Sequence, residues 1–177
     1  DGADLIANEA IEQVILNGEM RSYGLEFMLR KNTGNLSGWI AYTLSKSQQK
    51  TPGRTSDEIG INNGEWYRSA HDKTHNLAVT GSYKLNEKWN FGANFTLQTG
   101  QPVTYPNGQY TFHPDGQFNN PGITVPSYGT RNKNSLPTYH HLDVSATLTP
   151  KSSQTKKWKG EWVFSVYNIY GRKNAAS

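Results

Sequence analysis

Histidine and aspartate side chains that could bind a metal ion occur in two short groups, His71, Asp72 and His75, and His140, His141 and Asp143. Imidazole and carboxylate groups are common ligands of zinc. On a helix, His71 and His75 would share one face, but on a strand four residues span about 13 Å, too far for bonds of about 2 Å to one ion. His140 and His141 would point to opposite faces of a strand. We therefore expect no metal site unless neighbouring strands bring the two groups together.

The sequence offers no motif for catalysis. It contains neither a Gly-x-Ser-x-Gly elbow nor a phosphate-binding loop. It has no cysteine, which excludes disulfides, thiolate metal sites and a cysteine nucleophile. Glu26 and Asp143 are predicted on the polar sides of strands, where a carboxylate that faces water is a simpler interpretation than an acid–base pair. We expect a protein that is not an enzyme and has no cofactor.

Aromatic side chains that could bind a ligand lie in two long polar segments, near 47–72 and 100–137. The candidates are Trp66, Tyr67 and Arg68 in the first segment, and Tyr105, Tyr110, Phe112, His113 and Tyr128 in the second. Aromatic rings beside amides and charges suit stacking against sugar rings, aromatic siderophores or peptides. A simpler alternative is that these rings pack the two segments onto one another, and the sequence leaves both interpretations open.

An alternation of apolar and small residues predicts the strands that position these side chains. From Leu36 to Ser45, apolar residues or glycine occupy every second position and small residues lie between them, with Trp39 as the exception. This period of two is typical of a strand with one apolar and one polar face. Similar patterns, separated by turn residues, predict seven strands at about 11–17, 20–31, 35–46, 73–85, 89–99, 138–149 and from Trp162 onwards.

The connections between the predicted strands differ in length in an ordered way. Short turns such as Asn32–Asn35 and Asn86–Lys88 alternate with the long segments near 47–72 and 100–137. Outer-membrane β-barrels have this asymmetry, with short periplasmic turns and long extracellular loops. A soluble β-sandwich tends to have turns of mixed length at both ends, without this asymmetry. Loops this long are also uncommon in compact soluble domains. The order of the connections therefore favours a transmembrane β-barrel.

The composition is compatible with that fold. The mean hydropathy is −0.77 and 34% of the residues are hydrophobic. No run of 18 apolar residues occurs, which excludes a membrane-spanning helix, whereas a barrel strand needs apolar residues only at alternate positions. The net charge of +4 comes mostly from turns and loops, so we expect no nucleic-acid partner.

The seven predicted strands do not form a closed barrel by themselves, because their number is odd. Bacterial barrels have even numbers of strands, and an open sheet edge leaves backbone groups unpaired in lipid. We therefore expect residues 1–177 to be an all-β segment with antiparallel transmembrane strands, part of a larger barrel, with its apolar faces against outer-membrane lipid. No export signal opens the chain, so we expect that a signal was removed or that the chain is a piece of a longer protein.

Several short motifs, in this order and spacing, resemble a known family across roughly residues 12–175. They are Arg21-Ser-Tyr-Gly-Leu-Glu-Phe27, Asn32-Thr-Gly34, Trp39-Ile-Ala-Tyr-Thr-Leu-Ser-Lys46, Gly64-Glu-Trp-Tyr67, Asp72-Lys-Thr-His75, Leu85-Asn-Glu-Lys-Trp89, Thr99-Gly-Gln-Pro102, Tyr139-His-His-Leu-Asp143 and Val166-Tyr-Asn-Ile-Tyr-Gly-Arg-Lys-Asn174. Together they resemble the late barrel strands of TonB-dependent outer-membrane receptors of the Bacteroidetes type, which carry a carboxypeptidase-like regulatory domain before the plug domain.

The resemblance implies a barrel of about 22 strands that is occluded by a plug domain. It also implies energised uptake of a scarce nutrient (a siderophore, glycan or peptide) across the outer membrane of a Gram-negative bacterium. The partners it implies are the plug domain and remaining barrel of the same receptor, the TonB–ExbB–ExbD complex, and in some relatives a surface lipoprotein. The plug domain and the TonB-binding segment are not found in this sequence.

Two alternatives remain open from the sequence. The first is a passive outer-membrane barrel, which a plug domain and a TonB-binding segment upstream would exclude. The second is a soluble β-rich module that binds carbohydrate, in which the apolar faces would form a dry core. Fractionation of the full-length protein separates this module from both kinds of barrel.

Overall fold

A computed structural model describes residues 15–113, 122–151 and 160–175. These residues form an all-β fold in which every pair of strands with an assigned register is antiparallel. The strands are β1 (Glu19–Lys31), β2 (Leu36–Lys50), β3 (Tyr67–Arg68), β4 (His75–Lys84), β5 (Trp89–Gln98), β6 (Pro102–Val103), β7 (Pro106–Phe112), β8 (Ile123–Tyr128), β9 (Asn134–Ser135), β10 (Tyr139–Leu148) and β11 (Trp162–Val166).

The main sheet has the strand order β1-β2-β4-β5-β10-β11, and β3 pairs with the end of β2. Consecutive long strands are therefore neighbours, as in an up-and-down sheet. Within the described residues, β1 and β11 are the outermost strands, and the sheet is open between them.

The long strands lie close to the predicted positions, but two parts of the sequence differ from the prediction. Of the predicted strand at 11–17, residues 11–14 lie outside the described residues, and 15–17 are not in a strand. The long segments are also more ordered than predicted, because β3 lies in the first, while β7 pairs with β8 and β6 with β9 in the second. Most of the predicted turn at 150–160 lies outside the described residues.

The alternation within each strand stays in phase across the main sheet. Ile40 pairs with Val79, which pairs with Phe95, which pairs with Leu142. A second apolar row consists of Leu36, Tyr83, Phe91, Ala146 and Phe164, and a polar row on the opposite face consists of Ser37, Ser82, Gly92, Ser145 and Ser165. One face of the sheet is therefore apolar over several strands, and the other is polar. The two are called the apolar face and the polar face below.

Large side chains of the apolar face are open to the surroundings. Phe27 is 64% exposed, Phe164 is 56% exposed, and Ile40 is 40% exposed. Among the described residues, the only large hydrophobic side chain that is buried is that of Tyr67. The described strands therefore do not enclose a dry apolar core, which a water-soluble sandwich requires.

Tight turns join the paired strands at one end of the sheet. Gly34 has φ +90° between β1 and β2, a left-handed conformation that glycine adopts without steric cost. Between β4 and β5, the Asn86 side-chain oxygen accepts hydrogen bonds from the backbone N–H groups of Lys88 and Trp89, each at 2.9 Å. These turn residues fix the pairing of the long strands. This end is called the turn end below, and the opposite end of the sheet is called the loop end.

The chain divides into two compact units. The strand unit comprises Tyr23–Lys46, Asp72–Gln101 and Ser135–Ser177, and the loop unit comprises Asp1–Ser22, Ser47–His71 and Pro102–Asn134. No helix in the described part of the chain is both long enough and apolar enough to cross a membrane.

Candidate ligand-binding site

Tyr67 is buried within the loop unit. Its side chain is 6% exposed, and its backbone pairs with Gln49 where β3 meets β2. The Gln49 side-chain N–H donates to the Tyr67 hydroxyl at 3.1 Å, and Thr51 Oγ1 lies 3.2 Å from the same oxygen. A buried hydroxyl with two partners holds neighbouring segments together. The structure therefore gives Tyr67 a packing role, and its predicted contact with a ligand stays a prediction.

Trp66 contacts a charged partner. The Arg21 guanidinium carbon lies 4.0 Å from the centroid of the Trp66 ring, which is the geometry of a cation–π contact. Two N–H groups of the same guanidinium, on Nε and Nη2, donate to Gln48 Oε1 at 3.2 and 2.9 Å. One face of the Trp66 ring is therefore covered by Arg21, so only its other face could stack against a ligand.

Two asparagine residues join the separate segments of the loop unit. The Asn62 amide and the Arg131 backbone exchange two hydrogen bonds, at 2.8 and 3.1 Å. The Asn132 side-chain N–H donates to the Arg68 carbonyl at 2.7 Å, and the Asn132 backbone N–H donates to Thr104 Oγ1 at 2.8 Å. Both asparagines have positive φ, near 51° and 57°. These bonds place the predicted residues Trp66, Tyr67 and Arg68 in the same unit as the second long segment.

The β7–β8 hairpin carries the remaining predicted aromatic residues. Tyr110 pairs with Val125 and Phe112 pairs with Ile123, so these side chains share one side of the hairpin. Exposure is 57% for Tyr110 and 53% for Phe112. Tyr105 and Tyr128 are more than half exposed as well, and His113 is half-buried. The hairpin therefore presents open aromatic surface, but its contact with a ligand stays a prediction.

The histidine and aspartate groups do not converge on a metal ion. His75 is hydrogen-bonded to the Tyr42 hydroxyl at 2.8 Å, and His140 is hydrogen-bonded to the Tyr170 hydroxyl at 2.7 Å. Strand β5 lies between the strands that carry these two histidines. Among the described residues, no group of three histidine or acidic side chains could hold a metal.

A cavity of about 370 Å³ lies in the strand unit at the loop end of the polar face. Its polar lining comes from Lys73, Gln98, Gln101, Tyr139 and His141, and Leu136 contributes an apolar wall. Gln98 pairs with Tyr139 in the β5–β10 ladder, which brings these two side chains to the same row. Lys73 precedes β4, and its ammonium group donates to Gln98 Oε1 at 2.9 Å.

The imidazole ring of His141 lines one side of this cavity. His141 Nε2 lies 3.3 Å from Asp143 Oδ2, and Asp143 Oδ1 accepts a hydrogen bond from the Asn168 backbone N–H at 2.9 Å. The His141 ring lies against Tyr139 and Tyr167, with centroids 5.3 and 5.2 Å away. The Asp143 carboxylate and the two tyrosine rings therefore lie against the imidazole on this side of the cavity.

The sequence interpretation missed this cavity, although it contained part of the signal. Alternation predicts that Gln98 lies on the polar side of its strand. The pairing of Gln98 with Tyr139, and the approach of Lys73 from the preceding segment, depend on the register. Alternation alone does not specify which residues face each other across strands.

Comparison of the chain with protein-family models, with curated proteins and with solved structures finds no match.

Proposed function

We propose that this chain is part of the barrel wall of a TonB-dependent outer-membrane receptor that takes up a scarce nutrient. In this proposal the apolar face meets lipid, the polar face lines a water-filled interior, and the long segments lie outside the cell. The exposed, in-register apolar face is the observation that carries the proposal. Large apolar side chains that are 40–74% exposed, such as Ile40 and Leu25, need an apolar environment that the described residues do not provide.

Aromatic residues at both ends of the apolar face support a membrane setting. At the turn end, the rings of Trp89 and Phe91 are stacked with centroids 6.1 Å apart, and Trp162 is 65% exposed. At the loop end, tyrosine–histidine pairs form between Tyr42 and His75, and between His140 and Tyr170. Rings with a polar atom are typical of the membrane–water interface.

The spacing of these two bands fits the thickness of an outer membrane. Leu148 pairs with Trp89 in the turn-end row, and His140 in the loop-end row lies eight residues earlier in β10. At about 3.4 Å per residue, the rows are about 27 Å apart along the strand. A strand tilt of about 40° reduces this to a height of about 21 Å, close to the apolar band of about 25 Å in such barrels.

The two edges of the main sheet support membership in a larger closed sheet. Backbone groups on the outer edges of β1 and β11 have no strand partner among the described residues. Unpaired backbone groups cost several kcal/mol each in hydrocarbon, and a closed barrel satisfies them. Further strands of the same receptor would pair with both edges.

Energised transport is supported by the sequence motifs that resemble TonB-dependent receptors. The partners proposed on this ground are a plug domain, the TonB–ExbB–ExbD complex and, as in some relatives, a surface lipoprotein. A plug domain and a TonB-binding segment in the full-length protein would separate this receptor from a passive barrel. Their absence from the full-length protein would contradict the TonB-dependent part of the proposal.

Cell fractionation tests the proposal. The full-length protein is expressed with its native export signal in a Gram-negative host, with a soluble periplasmic protein as the control. We expect it in the outer-membrane fraction, from which only detergent releases it. Recovery as a soluble periplasmic monomer would contradict a barrel and favour the soluble binding module.

A further inference from the structure

We propose that the cavity at the loop end of the polar face binds a carboxylate or phosphate group of the ligand, with the Lys73 ammonium group as its anchor. This inference deepens the proposed function and rests on it, because the polar face must be open to an external ligand. The cavity lies beside Gly100 and Gln101, which begin the second long segment, and beside Leu136 and Pro137, which end it. In the proposed receptor, that end of the strands faces the outside of the cell.

The charge of the cavity lining favours an anion. Lys73 provides one full positive charge, and no aspartate or glutamate among the described residues lines the cavity. Uncharged groups that can donate hydrogen bonds surround it, among them the side-chain amides of Gln98 and Gln101. A cavity with one cation, several neutral donors and no lining carboxylate is complementary to a single negative group.

The contacts of Lys73 leave its charge without a counter-ion. The ammonium group donates to Gln98 Oε1, which is a neutral acceptor, at 2.9 Å. In the described part of the chain, Lys73 forms no ion pair. The side chain is half-buried, so its charge is less well hydrated than on an open surface. An ammonium group has three protons, so a ligand oxygen could accept from it without displacing Gln98.

The size and walls of the cavity indicate what kind of ligand group it accepts. A volume of about 370 Å³ is at the lower end of the range for small-molecule sites. Leu136 and Pro137 form apolar parts of the wall, and the ring of Tyr139 forms a flat aromatic part. These features suit one end of a larger molecule, such as an acidic sugar residue or the carboxyl terminus of a short peptide.

The test measures binding by calorimetry to the full-length protein in detergent. The probes are trigalacturonate, N-acetylated trialanine and inorganic phosphate. Trigalactose and the amide of N-acetylated trialanine serve as uncharged counterparts of the first two, and binding of phosphate is compared between the unsubstituted protein and Lys73→Gln. We expect at least one anionic probe to bind about tenfold or more tightly than its neutral counterpart, because a hydrogen bond to a charged group contributes about 1.5–3 kcal/mol. The probe that binds identifies whether the charge belongs to a sugar acid, a peptide or a phosphate.

Variants of Lys73 decide whether this residue is responsible. Lys73→Gln removes the charge and should abolish the preference for the anion, while Lys73→Arg should retain it. The matched control is Lys84→Gln, which removes the same charge from the last residue of β4, at the turn end, and should leave binding unchanged. A preference that survives Lys73→Gln, or the lack of any preference among the probes, would overturn the inference.

Failure of this inference can be told apart from failure of the proposed function. Binding in detergent does not depend on transport, and the fractionation experiment does not depend on Lys73. If the protein is in the outer membrane but shows no preference for anions, only the proposed anion site is contradicted. If the protein is soluble in the periplasm but still binds the anion through Lys73, only the proposed receptor function is contradicted.

Discussion

The strand unit and the loop unit are stabilised by different interactions. In the strand unit, large side chains of the apolar face stay exposed, and residues of like polarity face each other across neighbouring strands. In the loop unit, Tyr67 is buried and its hydroxyl is hydrogen-bonded to Gln49 and Thr51. Hydrogen bonds of Asn62 and Asn132 join other segments of the same unit. We infer that the strand unit depends on its surroundings for stability, whereas the loop unit depends on its own polar contacts.

The largest expected effect is a charge placed in the apolar face. Val144 lies midway between the two aromatic bands, so in the proposed receptor Val144→Arg would put a guanidinium group at the centre of the bilayer. The expected cost is about 2–4 kcal/mol, which should sharply reduce the folded protein in the outer membrane. Protease resistance and the shift in gel mobility on heating measure the folded fraction.

The neighbouring residue provides the control for this variant. Ser145 lies on the polar face opposite Gly92, where a long side chain has room to reach water. Ser145→Arg should therefore assemble nearly as well as the unsubstituted protein. Equal losses for both variants would show that the two faces of the sheet do not differ in environment, which would contradict the inference that the strand unit depends on an apolar environment.

A smaller and local effect is expected in the loop unit from Asn132→Gly. Glycine keeps the positive φ but removes the side-chain bond to the Arg68 carbonyl. Because Asn132 is 8% exposed, loss of this bond should cost about 1–3 kcal/mol. Hydrogen exchange at the Ser69 amide, which bonds to Ser47, should become faster, while amides of β4 and β5 stay protected. Equally faster exchange in β4 and β5 would show that this contact also stabilises the strand unit.

The smallest expected effect comes from Tyr67→Phe. The change removes the hydroxyl and its two hydrogen bonds but keeps the ring in place. The expected cost is about 1 kcal/mol, again confined to the loop unit. Tyr83→Phe, on the apolar face and 45% exposed, is the matched control and should change hydrogen exchange in the loop unit very little. If Tyr83→Phe speeds hydrogen exchange in the loop unit as much as Tyr67→Phe does, the hydrogen bonds of Tyr67 do not specifically stabilise that unit.

Strand positions could be predicted from the sequence because alternation is a local property. The strand predicted at 89–99 is found at Trp89–Gln98, and its apolar side carries Phe91 and Phe95 as expected. The β7–β8 hairpin could not be predicted in the same way, because its alternation around Tyr110 and Phe112 is short and interrupted by Gly and Pro residues. Pairing across strands, such as Ile40 with Val79, depends on register, which one sequence does not specify.

For the candidate sites too, the sequence predicted single residues but not their contacts with residues far away in the chain. Residue type alone made Trp66 and Tyr67 candidates for ligand binding. It did not indicate that Arg21 covers one face of the Trp66 ring, or that the Tyr67 side chain is buried. The sequence did not indicate Lys73 as a binding residue, because its contact with Gln98 joins residues 25 positions apart. A site assembled from several strands becomes visible only when the register is known.

Cysteine labelling of adjacent positions tests the central claim most directly. Because this chain has no cysteine, single cysteines can be placed at Val79, Thr80, Val144 and Ser145 in an otherwise cysteine-free protein. A small water-soluble maleimide is then applied to the protein in native outer membranes. We expect Thr80→Cys and Ser145→Cys to react, and Val79→Cys and Val144→Cys to react only after denaturation in detergent. Equal labelling of both faces, or faster labelling at positions 79 and 144, would contradict the assignment of the apolar face to lipid.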